Sequence, residues 1–280
     1  MSGNDFNKEK TVKTIGFVGS GNMAEALIKG IIAAGIYKPG CIFISDVRLE
    51  RLKQLTRKYK VKPVKNNSEL AKKADIVVLS VKPQNMAEAL ESIKGTISGK
   101  KLVISIAAGV KTSRIANVLG NMAIVRAMPN TPALIGEGAS ALFANAKARR
   151  MLKKAKSIFS AVGQVVVVDN EKLIDAVTAI SGSGPAYYFL FMEHLMKAAG
   201  KLGLPEDIAK NLVLQTAKGA ALLAAEANKN NEEISELRRK VTSPGGTTEA
   251  ALKIFKQKGI DTIIADATKA AFKKSRELSQ

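Results

Sequence analysis

The sequence predicts an α/β chain: a parallel sheet covered by helices over residues 1–169, then an all-helical domain over residues 170–280. Three observations predict it. Short, continuous apolar runs alternate with amphipathic stretches through the first domain, as in parallel sheets buried on both faces. The strand signal ends near Asp169-Asn170, and only helical periodicity follows. The first apolar run also opens directly into Gly19-Ser20-Gly21-Asn22-Met23-Ala24, a turn that belongs between a strand and a helix. A chain of 280 residues holds two such domains and needs no disulfide or metal staple.

Each element has its own signal. Residues 14–18 read as a buried strand, and 23–34 as a helix that stops at Gly35. Residues 41–45 read as a second strand, and 49–59 as a helix with Lys and Arg on its outer face. Residues 76–81, 102–106 and 124–127 read as the third, fourth and fifth strands, with helices over 85–93 and 113–119 between them. The run 165–168 has strand length as well. Beyond residue 170, helices are expected over 173–180, 186–201, 205–227, 232–240, 248–256 and 261–278. Pro205 with Glu206 and Asp207 makes a good first turn, its acids near the positive end of the helix dipole. The Ala-rich stretch 217–227 permits close approach of a second helix.

Composition excludes several classes. With 44 Lys+Arg against 24 Asp+Glu the net charge is +20, which invites a nucleic-acid reading. The basic residues are scattered over helix faces, aromatics are 5%, and there is no Trp to build a stacking platform. One Cys and one His exclude a zinc-finger framework. No run approaches 18 apolar residues, so no membrane span is expected. Residues 1–13 lack the apolar core of a signal peptide, and the single Cys41 fits a reducing cytoplasm. Cys41 reads as a small buried hydrophobe, and His194, beside Phe191 and Leu195, as a structural residue.

The glycine turn fits G-x-G-x-x-A. Gly19 permits the tight turn, Gly21 admits a pyrophosphate to the backbone, and Ala24 lets helix and strand pack closely. Free N–H groups at the helix start then face an anion. The first domain is therefore expected to be of the Rossmann type and to bind a dinucleotide. After the second strand, Asp46 favours ribose hydroxyls and NADH, while Arg48 favours a 2′-phosphate and NADPH; the two cues conflict. Ser80, Val81, Lys82 and Pro83 end the third strand, and Ile106, Ala107, Ala108 and Gly109 end the fourth, where ligands bind in open parallel sheets. Lys82 reads equally as a ligand contact or a surface lysine. The rigid turn 128–132 either frames a nicotinamide or is structural only. Segments 181–187 and 242–248 each break one helix and start another. A Gly-Gly step with flanking hydroxyls, as at Ser243, Gly245, Gly246, Thr247 and Thr248, suits a carboxylate.

In this order, the motifs Gly16 to Met23, Val81-Lys82-Pro83, Ala107 to Val110, Arg126 to Pro132, Asp175-Ala176-Val177, Ser181 to Tyr187 and Ser243 to Thr248 resemble pyrroline-5-carboxylate reductase across nearly the whole chain. The resemblance implies a Rossmann domain followed by a helical dimerisation domain. It implies hydride transfer from NADH or NADPH to the C=N carbon of 1-pyrroline-5-carboxylate, giving L-proline. By motif match, Ser243, Gly246, Thr247 and Thr248 hold the substrate, with the Thr248 hydroxyl on the ring nitrogen. Glu171 matches a carboxylate near the substrate and Asn67 an adenosine-side contact. No side chain stands out as proton donor, so water or a pre-protonated imine is expected. The helical domain cannot easily bury its Ala-rich faces alone, so a homodimer with interlocked C-terminal helices is expected, and the resemblance implies further assembly into a pentamer of dimers. Two departures matter. Asp46 stands where NADPH-using members often carry Ser, Thr or Asn, so use of both cofactors is expected. The stretch 226–236 is longer and more polar than usual. A 3-hydroxyacid dehydrogenase would need an acid/base lysine such as Lys197, but its surrounding motif is missing.

Overall fold

The computed structural model describes residues 14–279. The signal-peptide reading of residues 1–13 lies outside them. Two compact units are present among the described residues: one takes residues 14–183 together with 271–279, the other takes Gly184–Ala270. The sequence expectation placed the division at 169/170.

The first unit is built on one eight-stranded sheet. Its strands are β1 (Ile15–Val18), β2 (Ile42–Ser45), β3 (Lys62–Pro63), β4 (Ile76–Leu79), β5 (Leu102–Ser105), β6 (Ala123–Met128), β7 (Gly138–Ala144) and β8 (Gly163–Val167). Their order is β3-β2-β1-β4-β5-β6-β7-β8. The chain reverses direction across the sheet between β1 and β4, the switch point at which such sheets bind ligands. All residues of β1, β4 and β5 are buried, which is why they read as continuous apolar runs. Alternate residues feed two cores. Ile76, Val78, Leu102 and Ile104 pack on one face; Val77, Leu79 and Val103 pack on the other. Each such side chain contributes about 1.5–3 kcal/mol by leaving water.

The sheet corrects the all-parallel expectation, because β7 runs antiparallel to β6. Its sequence, GASALFA, is mostly small residues and carries no β-branched signal. The two-residue β3 was also missed; Pro63 is tolerated because β3 is an edge strand.

Helices α1 (Asn22–Ala33), α2 (Leu49–Tyr59), α3 (Asn67–Lys73), α4 (Met86–Ile93), α5 (Thr112–Leu119) and α6 (Leu152–Ser160) connect the strands. The short α3 was not expected, although it carries an ordinary start signal: the Asn66 side chain accepts the N–H of Glu69. Cys41 is half-buried at the edge of the core.

After α7 (Leu173–Val177) the backbone makes one wide π-type turn over Thr178–Gly182 and enters α8 (Gly184–Lys201). The expected change from one helix to another over 181–187 is thus present, with the π-type turn and Ser183 between them. Pro185 lies in the first turn of α8, where its missing N–H costs nothing.

The second unit holds α8, α9 (Glu206–Lys229), α10 (Ile234–Lys240), α11 (Thr247–Gln257) and most of α12 (Ile260–Leu278). Within it Phe191 and Phe255 meet with ring centroids 6.3 Å apart. Many apolar side chains of these helices are exposed, among them Tyr188, Phe189, Leu222, Leu223 and Ile263. His194 is exposed as well, so it is not a core residue of this unit. Among the described residues, no helix is long and apolar enough to cross a membrane.

Candidate functional site

The C-terminal ends of β1, β2, β4 and β5 surround a cleft of about 730 Å³. Gly19, Ser20, Gly21, Asn22 and Met23 line it from β1 and α1; Asp46 and Arg48 line it from β2, with Asn67 from α3. Ser80, Val81, Lys82 and Pro83 line it from β4, and Ile106, Ala107 and Ala108 from β5. The structure therefore brings all the residues assigned to a cofactor around one opening. It adds Gln84, Asn85 and Glu88, which sequence reasoning missed. Pro83 was the available signal, since it ends the strand and starts the turn that carries Gln84 and Asn85 and leads into α4, which carries Glu88.

The two glycines of the turn serve different ends. Gly19 has φ +87°, and a Cβ there would lie 2.9 Å from the Ser80 carbonyl oxygen. Gly21 has φ −70° and ψ −172°, which any residue adopts. A Cβ on Gly21 would meet nothing within 4 Å. Neither conformation nor packing demands glycine at position 21, so the open space beside it is the feature that a ligand would use.

The turn is pinned from β2. Gly19 N–H donates to the Ser45 carbonyl at 2.9 Å, and the Ser20 hydroxyl donates to the same oxygen at 3.2 Å. Ser20 N–H donates to Asp46 Oδ2 at 2.8 Å. Arg48 gives Asp46 its backbone N–H and Nε–H on Oδ1 (2.9 Å each) and Nη2–H on Oδ2 (3.0 Å). Burial pushes the Asp46 carboxyl upward, but these donors outweigh it and hold the pKa at about 2. Asn67 is fixed by Ser45, whose hydroxyl donates to its Oδ1 at 2.6 Å, and by its own Nδ2 donating to Ser92 Oγ at 2.9 Å.

Behind the turn, Glu25 in the first turn of α1 accepts from Arg51, Lys58 and Tyr59 of α2. Burial raises its pKa, yet the hydrogen bonds from Lys58, Tyr59 and Arg51 prevail and lower it from 4.5 to about 2. A carboxyl depressed in the folded state stabilises the fold above its unfolded pKa and loses that contribution as pH falls toward the folded value. The melting temperature of the wild type is thus expected to fall more steeply than that of Glu25→Gln between pH 4.5 and about pH 2. Parallel slopes in thermal melts would contradict it.

Glu171 does not line this cleft. It lines a second cavity of about 540 Å³ with Lys111, Arg126, Phe143 and Asp175. Its oxygens accept the N–H and hydroxyl of Thr112 at 2.7 and 2.8 Å, capping α5 across 59 residues of sequence. Arg126, only 1% exposed, reaches Glu171 at 3.5 Å and Asp175 Oδ1 at 3.3 Å. Asp175 Oδ1 also accepts the hydroxyls of Ser275 and Ser279. The turn 128–132 lies outside the cleft lining. Asn130 there donates to the Ser181 carbonyl and accepts Ala139 N–H, which ties the turn to β7 and to the turn before α8.

Ser243, Gly246, Thr247 and Thr248 lie in the second unit, at the start of α11. Gly246 is the N-cap, and its N–H donates to the Ser243 carbonyl at 3.0 Å. Gly245 has φ +71°, and its N–H is taken by Glu249 Oε2 at 2.7 Å. Thr248 is half-buried, while Ser243 and Thr247 are exposed.

Comparison with known proteins covers both units. Residues 171–278 match the family profile of pyrroline-5-carboxylate reductase dimerisation. Residues 14–109 match that of NADP oxidoreductase, coenzyme F420-dependent. The chain is 43% identical to the pyrroline-5-carboxylate reductase of Pseudomonas aeruginosa, over 95% of this chain and 97% of that protein. It resembles the solved pyrroline-5-carboxylate reductase of Coxiella burnetii with a TM-score of 0.89 at 42% identity, covering 96% of this chain and 99% of that one. A Plasmodium falciparum pyrroline carboxylate reductase solved with NADP bound matches with a TM-score of 0.85 at 34% identity, over 96% of this chain and 98% of that one.

Proposed function

The chain belongs to the pyrroline-5-carboxylate reductase family, and on that premise we propose how its residues divide the work of the reaction. The protein is an NAD(P)H-dependent oxidoreductase that reduces 1-pyrroline-5-carboxylate to L-proline, the last step of proline biosynthesis. One observation carries the assignment of the cleft to the dinucleotide. Beside Gly21 there is open space, and among the described residues no protein acceptor takes the N–H of Gly21, Asn22 or Met23. A pyrophosphate fits that surface, with its charge at the positive end of α1. When bound, the reduced nicotinamide supplies the hydride for the C=N carbon.

Gly19 to Met23 cradle the pyrophosphate, and Asp46, Arg48 and Asn67 address the adenosine half. Ser80 to Pro83 and Ile106 to Ala108 flank the nicotinamide half. Ser243, Gly246, Thr247 and Thr248 hold the substrate carboxylate and ring nitrogen, so that Thr248 is the catalytic contact. Glu171 serves the substrate side through Thr112 and Arg126, since both its oxygens already cap α5. The proton on nitrogen comes from the pre-protonated imine or from water. The enzyme works in the cytoplasm as a homodimer through the helices of residues 171–278, and dimers assemble by fives; the exposed apolar side chains of those helices support the dimer.

The Asp46–Arg48 pair supports one reading of the conflicting cofactor cues. An ionised carboxylate offers about four lone-pair sites. Asp46 already accepts one bond from Ser20 and three from Arg48, which also masks the charge that would repel a 2′-phosphate. NADPH leaves the pair intact, whereas NADH needs Arg48 to yield a site to the ribose. Following dinucleotide oxidation with 1-pyrroline-5-carboxylate tests the scheme. Wild type is expected to use both cofactors. Arg48→Ala should lower the NADPH/NADH ratio of kcat/KM about tenfold, as loss of a charge-assisted contact does. Thr248→Val should lower kcat/KM for the pyrroline and leave the dinucleotide KM unchanged. An unchanged ratio in the first variant, or full activity in the second, would reject the corresponding role.

A further inference from the structure

Arg51 has no part in the scheme above, yet it is seated against the phosphate turn. It projects from the first turn of α2, and its side chain is only 13% exposed. Nε–H donates to the Ser20 carbonyl at 2.7 Å, and Nη2 lies 3.5 Å from the Gly21 carbonyl. Nη1 is held by Gln54 at 2.7 Å and Nη2 by Glu25 at 2.5 Å. Arg51 itself lies outside the lining of the cleft.

We propose that Arg51 is a positioning residue for the dinucleotide pyrophosphate, holding the Ser20 and Gly21 carbonyls so that the N–H groups that follow them stay turned to the ligand. The inference rests on the dinucleotide reading of the cleft. Its physical basis is the trans peptide, in which a carbonyl and the next N–H point in opposite directions. No peptide of the described residues is cis. With the Ser20 carbonyl fixed on a guanidinium, the Gly21 N–H must point away from Arg51, where no protein acceptor takes it. The Gly21 carbonyl accepts the Glu25 N–H at 3.0 Å as the first bond of α1, and the Arg51 contact at 3.5 Å only adds to that hold on the peptide of Asn22.

The arrangement is over-determined. Ser20 N–H is taken by Asp46, its hydroxyl by Ser45 and its carbonyl by Arg51, so every polar atom of Ser20 is engaged by the end of β2, the residue after it and α2. Glu25 keeps the guanidinium in place and is itself braced by Lys58 at 2.9 Å and the Tyr59 hydroxyl at 2.8 Å. Glu25 also balances the charge of Arg51, so the role of Arg51 is to orient the peptides rather than to supply a free cation.

The test uses the full chain and titrates NADPH and NADH separately, by fluorescence and by steady-state kinetics. Arg51→Met is expected to raise the dinucleotide Kd and KM about 10–100-fold, the usual effect of losing a hydrogen bond to a charged group. kcat at saturating dinucleotide and KM for 1-pyrroline-5-carboxylate should not change. Arg51→Lys keeps one donor and the charge, so its rise should be intermediate. A purely structural role would lower the melting temperature without this split. Wild-type affinity in Arg51→Met overturns the proposal; should that variant not fold, wild-type affinity in Arg51→Lys overturns it. Failure of the wild type to bind either dinucleotide would instead remove the reading of the cleft, and Arg51 with it.

Discussion

Gly21→Val is expected to give a folded protein that binds NADPH and NADH about 100-fold more weakly than the wild type. The backbone at Gly21 is extended, so a valine is conformationally at home. Its Cβ would meet no protein atom within 4 Å. Position 21 is the N-cap of α1 and makes no side-chain cap, so the change costs the helix about 1 kcal/mol or less, a shift of no more than about 4 °C. The added methyl groups stand where the pyrophosphate must touch the backbone, and overpacking of that size weakens affinity by about 100-fold. Gly19→Val is the control with the opposite logic. There φ is +87° and the Cβ would lie 2.9 Å from both Ser80 O and Val81 Cγ1, so that variant should lose stability as well as affinity. Thermal melts beside fluorescence titrations separate the two. If Gly21→Val binds NADPH normally, the pyrophosphate does not sit on this turn.

The contrast shows what could be read from the chain and what could not. The turn 19–24 was legible because glycine spacing, a buried strand before it and a helix after it are all local features. The helices of the second unit were legible because Pro and Gly punctuate them. Strand β7 was not, because its small residues pack by close approach and leave no hydrophobic period. The change of helix expected over 181–187 was legible from Gly184-Pro185, which opens α8, whereas the π-type turn before it carries no sequence signal. Asp46 and Arg48 stood as rival cues in the sequence, and only geometry makes them one ion pair. Arg51 carried no signal at all, since its partner Ser20 lies 31 residues away. The excess charge of +20 finds only a small part of its use in the cleft.

Separations of 45 and 49 residues likewise hid the network around Arg126, whose loss is expected to have the largest effect on stability. Arg126 is 1% exposed and Asp175 6%. Arg126→Met keeps the length of the side chain and removes the cation. Asp175 and Glu171 then remain in place without it, a change that costs about 3–5 kcal/mol and lowers the melting temperature by about 10 °C in a protein of this size. The double variant Arg126→Met/Asp175→Asn removes the stranded charge while keeping an acceptor for the two serines, so it should recover a good part of the loss. A double variant as unstable as the sum of the singles would show that the two residues are not coupled. The effect reaches the cleft. Ser275 and Ser279 donate to Asp175, and the Leu278 backbone lies against Gly109, where a Cβ would stand 2.7 Å from the Leu278 oxygen. Gly109 closes the loop that carries Ile106, Ala107 and Ala108 into the cleft lining. Freed of its seat on Asp175, the end of α12 no longer holds that loop, and the KM for the dinucleotide should rise in Arg126→Met even at temperatures where the protein is folded. The double variant should restore the KM together with the melting temperature, because both depend on one buried contact.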